Sequence, residues 1–164
     1  MSMNQNWNVN LSLIQVVQQF VRQQQSTPFV QQRIERNLAE TKPPVSRQEF
    51  WKQLVVCILT TQQKSGPDSP ISSLTRTQPF QLGYELCGKQ SDLPTYVSAV
   101  LQAHGIKRFT NRLPKFLATN FMNVQQGLWN KTDARLEELR TKQDQTTERR
   151  TADFLEAHYD GIGP

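Results

Sequence analysis

The chain of 164 residues has room for one domain with a core of its own, or for a domain and an arm. With 36% hydrophobic residues, a mean hydropathy of −0.63 and no run near the roughly 18 apolar residues that span a bilayer, it excludes a membrane-spanning helix. The net charge of +5 is uneven: residues 1–132 carry 14 Lys and Arg against 6 Asp and Glu, and residues 133–164 carry 5 against 8, so the basic body suits a polyanion while the end is acidic.

The first ten residues lack the basic and apolar stretches of a secretory signal. Helical periodicity then runs almost throughout. Leu13, Ile14, Val17, Phe20 and Val21 recur at spacings of three and four, which predicts a helix over 10–25. Thr27-Pro28 reads as an N-cap and first-turn proline of a second helix, lined by Val30, Ile34 and Leu38 and stopped by Pro43-Pro44. Residues 1–45 are expected to form a helical arm and 46–164 the domain, with 1–9 and 41–45 as flexible arm and linker. Ser46-Arg47-Gln48-Glu49 has capping-box spacing and opens a helix whose interior runs Leu54-Val55-Val56-Cys57-Ile58-Leu59. That run is apolar on every side, so the helix is expected to be buried all round, Cys57 included.

Gly66-Pro67 and Ser69-Pro70 mark breaks, and short helices are expected over 72–87. Ser91 or Asp92 caps a helix through Tyr96, Val100 and Leu101 that closes at Gly105. Asn111 is the expected cap of the next, with Pro114 in its first turn and Leu113, Phe116, Leu117 and Phe121 on its apolar side. Thr132 or Asp133 starts a charged helix to about Lys142, and Thr146 or Thr147 starts a last one to about Tyr159. No strand alternation or β-hairpin pattern occurs, so the expected fold class is all-α.

Cys57 and Cys87 stand 30 positions apart and outside any CxxC, which excludes a disulfide framework and a four-cysteine metal site within the chain and points to a reducing cytoplasm. His104 and His158 lack metal-ligand spacing and read as helix-end groups. Trp7, Trp51 and Trp129 can stack on bases, though packing suits Trp51 better. The acidic stretch from Asp133 to Asp160 holds no pair at the spacing of an acid–base device and reads as a solvated face.

Two features carry chemistry. At the end of the chain, Tyr159-Asp160-Gly161-Ile162-Gly163-Pro164 follows an amphipathic helix. Glycines at 161 and 163 permit a tight turn and leave backbone N–H groups open to a phosphate, and a following proline is a helix-start signal, so the expected continuation is another helix. The second feature is the exit of the apolar helix into Thr60-Thr61-Gln62-Gln63-Lys64, where amides, hydroxyls and a cation can meet base edges or phosphate. Lys107, Arg108, Arg112 and Lys115 form a basic cluster that can bind backbone phosphate or simply be solvated.

In this order and at this separation, Leu59-Thr60-Thr61-Gln62, the segment Ala103 to Asn111, and Tyr159-Asp160-Gly161-Ile162-Gly163 resemble the helix-hairpin-helix DNA glycosylase superfamily. Endonuclease III and 8-oxoguanine glycosylase are familiar members, and the resemblance covers about residues 46–164. It implies an orthogonal helix bundle and recognition of damaged bases in double-stranded DNA, followed by cleavage of the N-glycosidic bond. It also implies roles for residues: Gln62 reaches into the duplex beside a flipped base, Gln63, Lys64, Lys107 and Arg108 lie at the DNA, and Gly161, Ile162 and Gly163 hold a phosphate.

The family's catalytic aspartate and Schiff-base lysine follow the hairpin, so no catalytic residue is assigned within these residues. Asp160 precedes the hairpin and falls where many members carry proline, so it is not promoted to catalyst. The expectation is an amino-terminal part of such an enzyme, truncated at the hairpin, without cofactor or metal, that releases no base alone. Two alternatives stay open. A non-enzymatic DNA-binding module would show salt-dependent duplex affinity without preference for damage. A helical interaction protein would show no DNA affinity at low salt.

Overall fold

The computed structural model of the protein describes residues 11–25, 27–28, 30–32, 35, 43–61, 66–108 and 110–163. Every regular element among them is helical, so the fold is all-α. The chain divides into two compact units, Met1–Lys42 and Pro43–Pro164.

In the first unit, α1 (Leu11–Gln25) leaves Leu13, Val16, Val17 and Phe20 exposed. The Thr27 hydroxyl donates to the Gln24 carbonyl at 2.8 Å, and the Thr27 carbonyl accepts from Gln31 N at 3.0 Å, opening a second helical stretch that includes Pro28 and Val30. Trp7, Ile34 and Leu38 lie outside the described residues.

The second unit is organised around α2 (Arg47–Thr60). Ser46 Oγ accepts from Glu49 N at 3.2 Å, which is half of the expected capping box; the Glu49 carboxylate instead accepts from Gln53 Nε2 at 2.7 Å. Phe50, Trp51, Leu54, Val55, Ile58 and Leu59 are buried. The expectation of burial all round fails along one stripe: Cys57 is exposed and Val56 half-buried. Glu49, Gln53 and Cys57 recur every four residues and share one helix face, and the two polar members keep that face in water.

Ser69 and Pro70, read as a breaker, begin α3 (Pro70–Arg76), with Ser69 Oγ accepting from Ser72 N at 3.1 Å. After α4 (Tyr84–Gly88) comes α5 (Leu93–Ala103), capped by Asp92 and closed by the paired bonds Ile106 N to Leu101 O and Gly105 N to Gln102 O, both 2.9 Å. Trp51 is wholly buried, and its Nε1 donates to the Leu82 carbonyl at 2.8 Å, the same oxygen the Cys87 thiol approaches at 3.4 Å. The Trp51 ring meets Phe121 edge-on, with centroids 5.2 Å apart.

Three boundaries differ from the sequence reading. α6 (Leu113–Asn123) is capped by Arg112, whose carbonyl accepts from Phe116 N at 2.9 Å, so Asn111 is not the cap. No helix starts at Thr132 or Asp133. α6 runs into a short segment (Val124–Leu128) that is kinked at Gly127, whose φ of 107° is non-helical, and α7 (Trp129–Lys142) starts beyond this kink, three residues before Thr132. The last helix, α8 (Gln145–His158), starts from Asp144 rather than Thr146 or Thr147, with Asp144 Oδ1 accepting from Thr147 N at 2.8 Å. Glu138 ties α7 to α8 through Arg150 at 3.2 Å, beside its own neighbour Lys142 at 2.7 Å.

Candidate nucleic-acid interface

The segment after α8 is fixed by three separate contacts. Tyr159 turns into the core, 2% exposed, where its ring lies 5.3 Å from Phe50 and its hydroxyl 2.6 Å from the Thr132 hydroxyl. Burial pushes the Tyr159 phenol above its ordinary range, against the opposing pull of the Thr132 hydrogen bond. One residue on, Asn120, wholly buried on α6, grips the Asp160 backbone. Its Nδ2 donates to the Asp160 carbonyl at 2.9 Å, and its Oδ1 accepts from the Asp160 amide at 2.8 Å. Asp160 therefore serves through its main chain.

The third contact is Gly161 itself, at φ +83°. A Cβ there would stand 3.0 Å from Phe116 Cδ2 and 3.3 Å from Ile58 Cγ2, so the backbone lies directly on both side chains. Ile58 is on α2 three residues before Thr61, and Phe116 is on α6 four residues after Arg112. The Tyr159–Gly163 turn thus meets α2 near its exit and α6 near its start, although more than a hundred residues separate Ile58 from Gly161 in sequence.

Each expected site residue has a definite place in this arrangement. Among the described residues, no hydrogen bond engages the Gly161 or Gly163 amide; Gly161 is half-buried and Gly163 exposed. Ile162 differs: its side chain packs on the core and its amide leans toward the Tyr159 carbonyl at 3.4 Å, so it anchors the turn more than it faces outward. Lys107 and Arg108 are exposed in the connection between α5 and α6, as are Arg112 and Lys115 around the α6 start. The first turn of α6 holds no acidic residue, so these cations gather at the positive end of the helix dipole.

Gln62, Gln63 and Lys64 lie outside the described residues. The threonines before them are already engaged: the Thr60 hydroxyl donates to Val56 O at 2.9 Å and the Thr61 hydroxyl to Cys57 O at 2.9 Å, satisfying carbonyls at the end of α2. An open cleft of about 460 Å³ lies between the end of α6 (Asn123), the kink (Gln126, Gly127, Leu128), Lys131 and the end of α8 (Ala157, His158). His158 Nδ1 donates to the Phe154 carbonyl at 2.8 Å and His104 Nε2 meets Gln81 Oε1 at 3.2 Å, so both histidines are helix-end groups. Among the described residues no three His, Cys, Asp or Glu side chains gather as a metal ion would require, and no helix is long and apolar enough to cross a membrane.

Asn120 escapes a reading that looks for charges and glycines. It occupies the apolar stripe Leu113, Leu117, Asn120, Val124, and a polar residue in such a register is the signal that marks it. No protein family, curated protein or solved structure matches the chain.

Proposed function

We propose that this chain is the duplex-gripping helical part of a base-excision DNA glycosylase of the helix-hairpin-helix kind, with the Tyr159–Gly163 turn as its phosphate clamp. The observation that carries the reading is the seating of Gly161 on Ile58 and Phe116, which sets two glycine amides, without hydrogen-bond partners among the described residues, against the start of the helix that the basic segment precedes. Cations at a helix N-terminus repel the dipole and one another, and a bound phosphate relieves both repulsions. The same phosphate accepts hydrogen bonds from backbone N–H groups that have no other partner.

Base excision itself is not assigned to these residues. The family places its catalytic carboxylate and lysine after the hairpin, and Asp160, the carboxylate nearest the glycines, is held by its backbone before it. What the chain supplies is position on the duplex, through phosphate contacts that carry register rather than sequence.

The test is fluorescence anisotropy of the full chain with a labelled duplex of about 20 base pairs over about 50 to 300 mM salt. The affinity should fall log-linearly with salt. Lys107→Ala and Lys115→Ala should each weaken binding on any sequence and reduce the salt slope by about 1. No binding at the lowest salt would refute the reading.

A further inference from the structure

Glu156 stands in the last turn of α8, and its side chain lies over Gly163. A Cβ at Gly163, where φ is +121°, would be 2.8 Å from Glu156 Oε1 and 2.9 Å from its Cγ. Position 163 thus needs glycine twice over, for the conformation and for the room this carboxylate occupies. Glu156 is exposed, and among the described residues no lysine or arginine forms an ion pair with it. The last turn of a helix is the least favourable place for a carboxylate, because it meets the negative end of the dipole. A charge that served only solubility would sit more easily elsewhere on the exposed face of α8.

We propose that Glu156 sets the strength of the phosphate clamp: an unpaired negative charge at the mouth of the hairpin repels the phosphate that the glycine amides attract. The inference rests on the reading of the hairpin as a phosphate site. Its consequence is a grip on undamaged duplex that is weak and quickly broken, which suits a protein that must leave most of the DNA it touches. Two unit charges a few ångströms apart at a wet surface change a dissociation constant by about three- to tenfold. Salt screens the effect.

The experiment compares wild type, Glu156→Gln and Glu148→Gln by anisotropy and stopped-flow dissociation on an unmodified duplex. Glu148 is exposed on the same helix but about 12 Å further along its axis, so its variant reports the loss of one negative charge away from the hairpin. Circular dichroism melts check that each variant folds. At about 50 mM salt, Glu156→Gln should bind three- to tenfold tighter with slower dissociation, Glu148→Gln should change less than about twofold, and the gap should close at about 300 mM. If all three bind alike, or if both variants gain equally, the inference fails while the DNA reading stands. If none binds duplex at low salt, the DNA reading itself fails and takes the inference with it.

Discussion

Asn120 on α6 and Asp160 after α8 are joined by a two-point clasp, donor to carbonyl at 2.9 Å and acceptor to amide at 2.8 Å. A carboxamide presents a donor and an acceptor side by side and carries no charge, so it can close both bonds to a single residue's backbone without burying an ion. Asn120→Ala leaves two part-buried backbone groups without partners and should cost about 1–3 kcal/mol. Asn120→Asp keeps the acceptor but sets a buried carboxylate against the Asp160 carbonyl. Its deficit relative to wild type should shrink as pH falls, since the protonated acid can donate where Nδ2 did. Chemical denaturation of the three proteins at two pH values checks both expectations, and a deficit independent of pH would contradict the clasp.

The glycines separate strain from contact. Gly161→Ala meets Phe116 and Ile58 and forces an L residue to φ +83°, so it should cost about 1–3 kcal/mol and displace the Tyr159–Gly163 turn. Gly127→Ala, at φ +107°, meets nothing within 4 Å and should pay backbone strain alone, about 1 kcal/mol. If the hairpin grips DNA, Gly161→Ala should lose duplex affinity beyond what its stability loss explains, whereas Gly127→Ala should keep it. Equal affinity in the two variants would argue against the clamp.

The thiols offer a chemical test of the α2 packing. Cys57 lies on the solvent stripe of that helix, and Cys87 is 1% exposed. A thiol reagent added to the native protein should therefore label one cysteine quickly, and the second only on unfolding. Mass spectrometry should locate the fast adduct at Cys57; prompt labelling of Cys87 would mean that the Trp51–Leu82–Cys87 cluster opens readily.

Helix identity was legible where a helix carries a three-to-four apolar repeat or a capping residue: Ser46, Asp92 and Gly105 do in the structure what their positions suggested. The reading failed where local signals compete. Thr132 looks like a cap, but its hydroxyl is spent on Leu128 and Tyr159, and the helix starts three residues earlier, just after the kink at Gly127. Periodicity of apolar residues alone also overstated the burial of Cys57, because it ignores Glu49 and Gln53 on the same stripe. At the site, Gly161, Gly163 and the basic cluster were visible as residue types. Their grouping depends on contacts across more than a hundred residues, and neither Asn120 nor Glu156 belongs to any local motif.

The buried acids set the alkaline limit of stability. Burial drives the Cys87 thiol from 9.0 to about 12, against a hydrogen bond from Trp51, and burial raises the phenols of Tyr159 and Tyr96 as well. For each group the folded pKa exceeds the unfolded one, so above the unfolded value the denatured chain releases a proton that the native chain retains. Native protein then binds more protons than denatured, and stability must fall as pH rises. The fall should begin near pH 9, where the free thiol titrates, and continue toward about 12, with the thiol adding at most about 1.4 kcal/mol per pH unit; above about 10 the phenols steepen it, Tyr96 least because it is only part-buried. Cys87→Ala should be less stable than wild type at neutral pH, through the lost packing, yet decline less steeply between pH 9 and 10. Urea midpoints measured from pH 7 to 11 give both slopes, and parallel curves would show that the thiol does not stay protonated inside the fold.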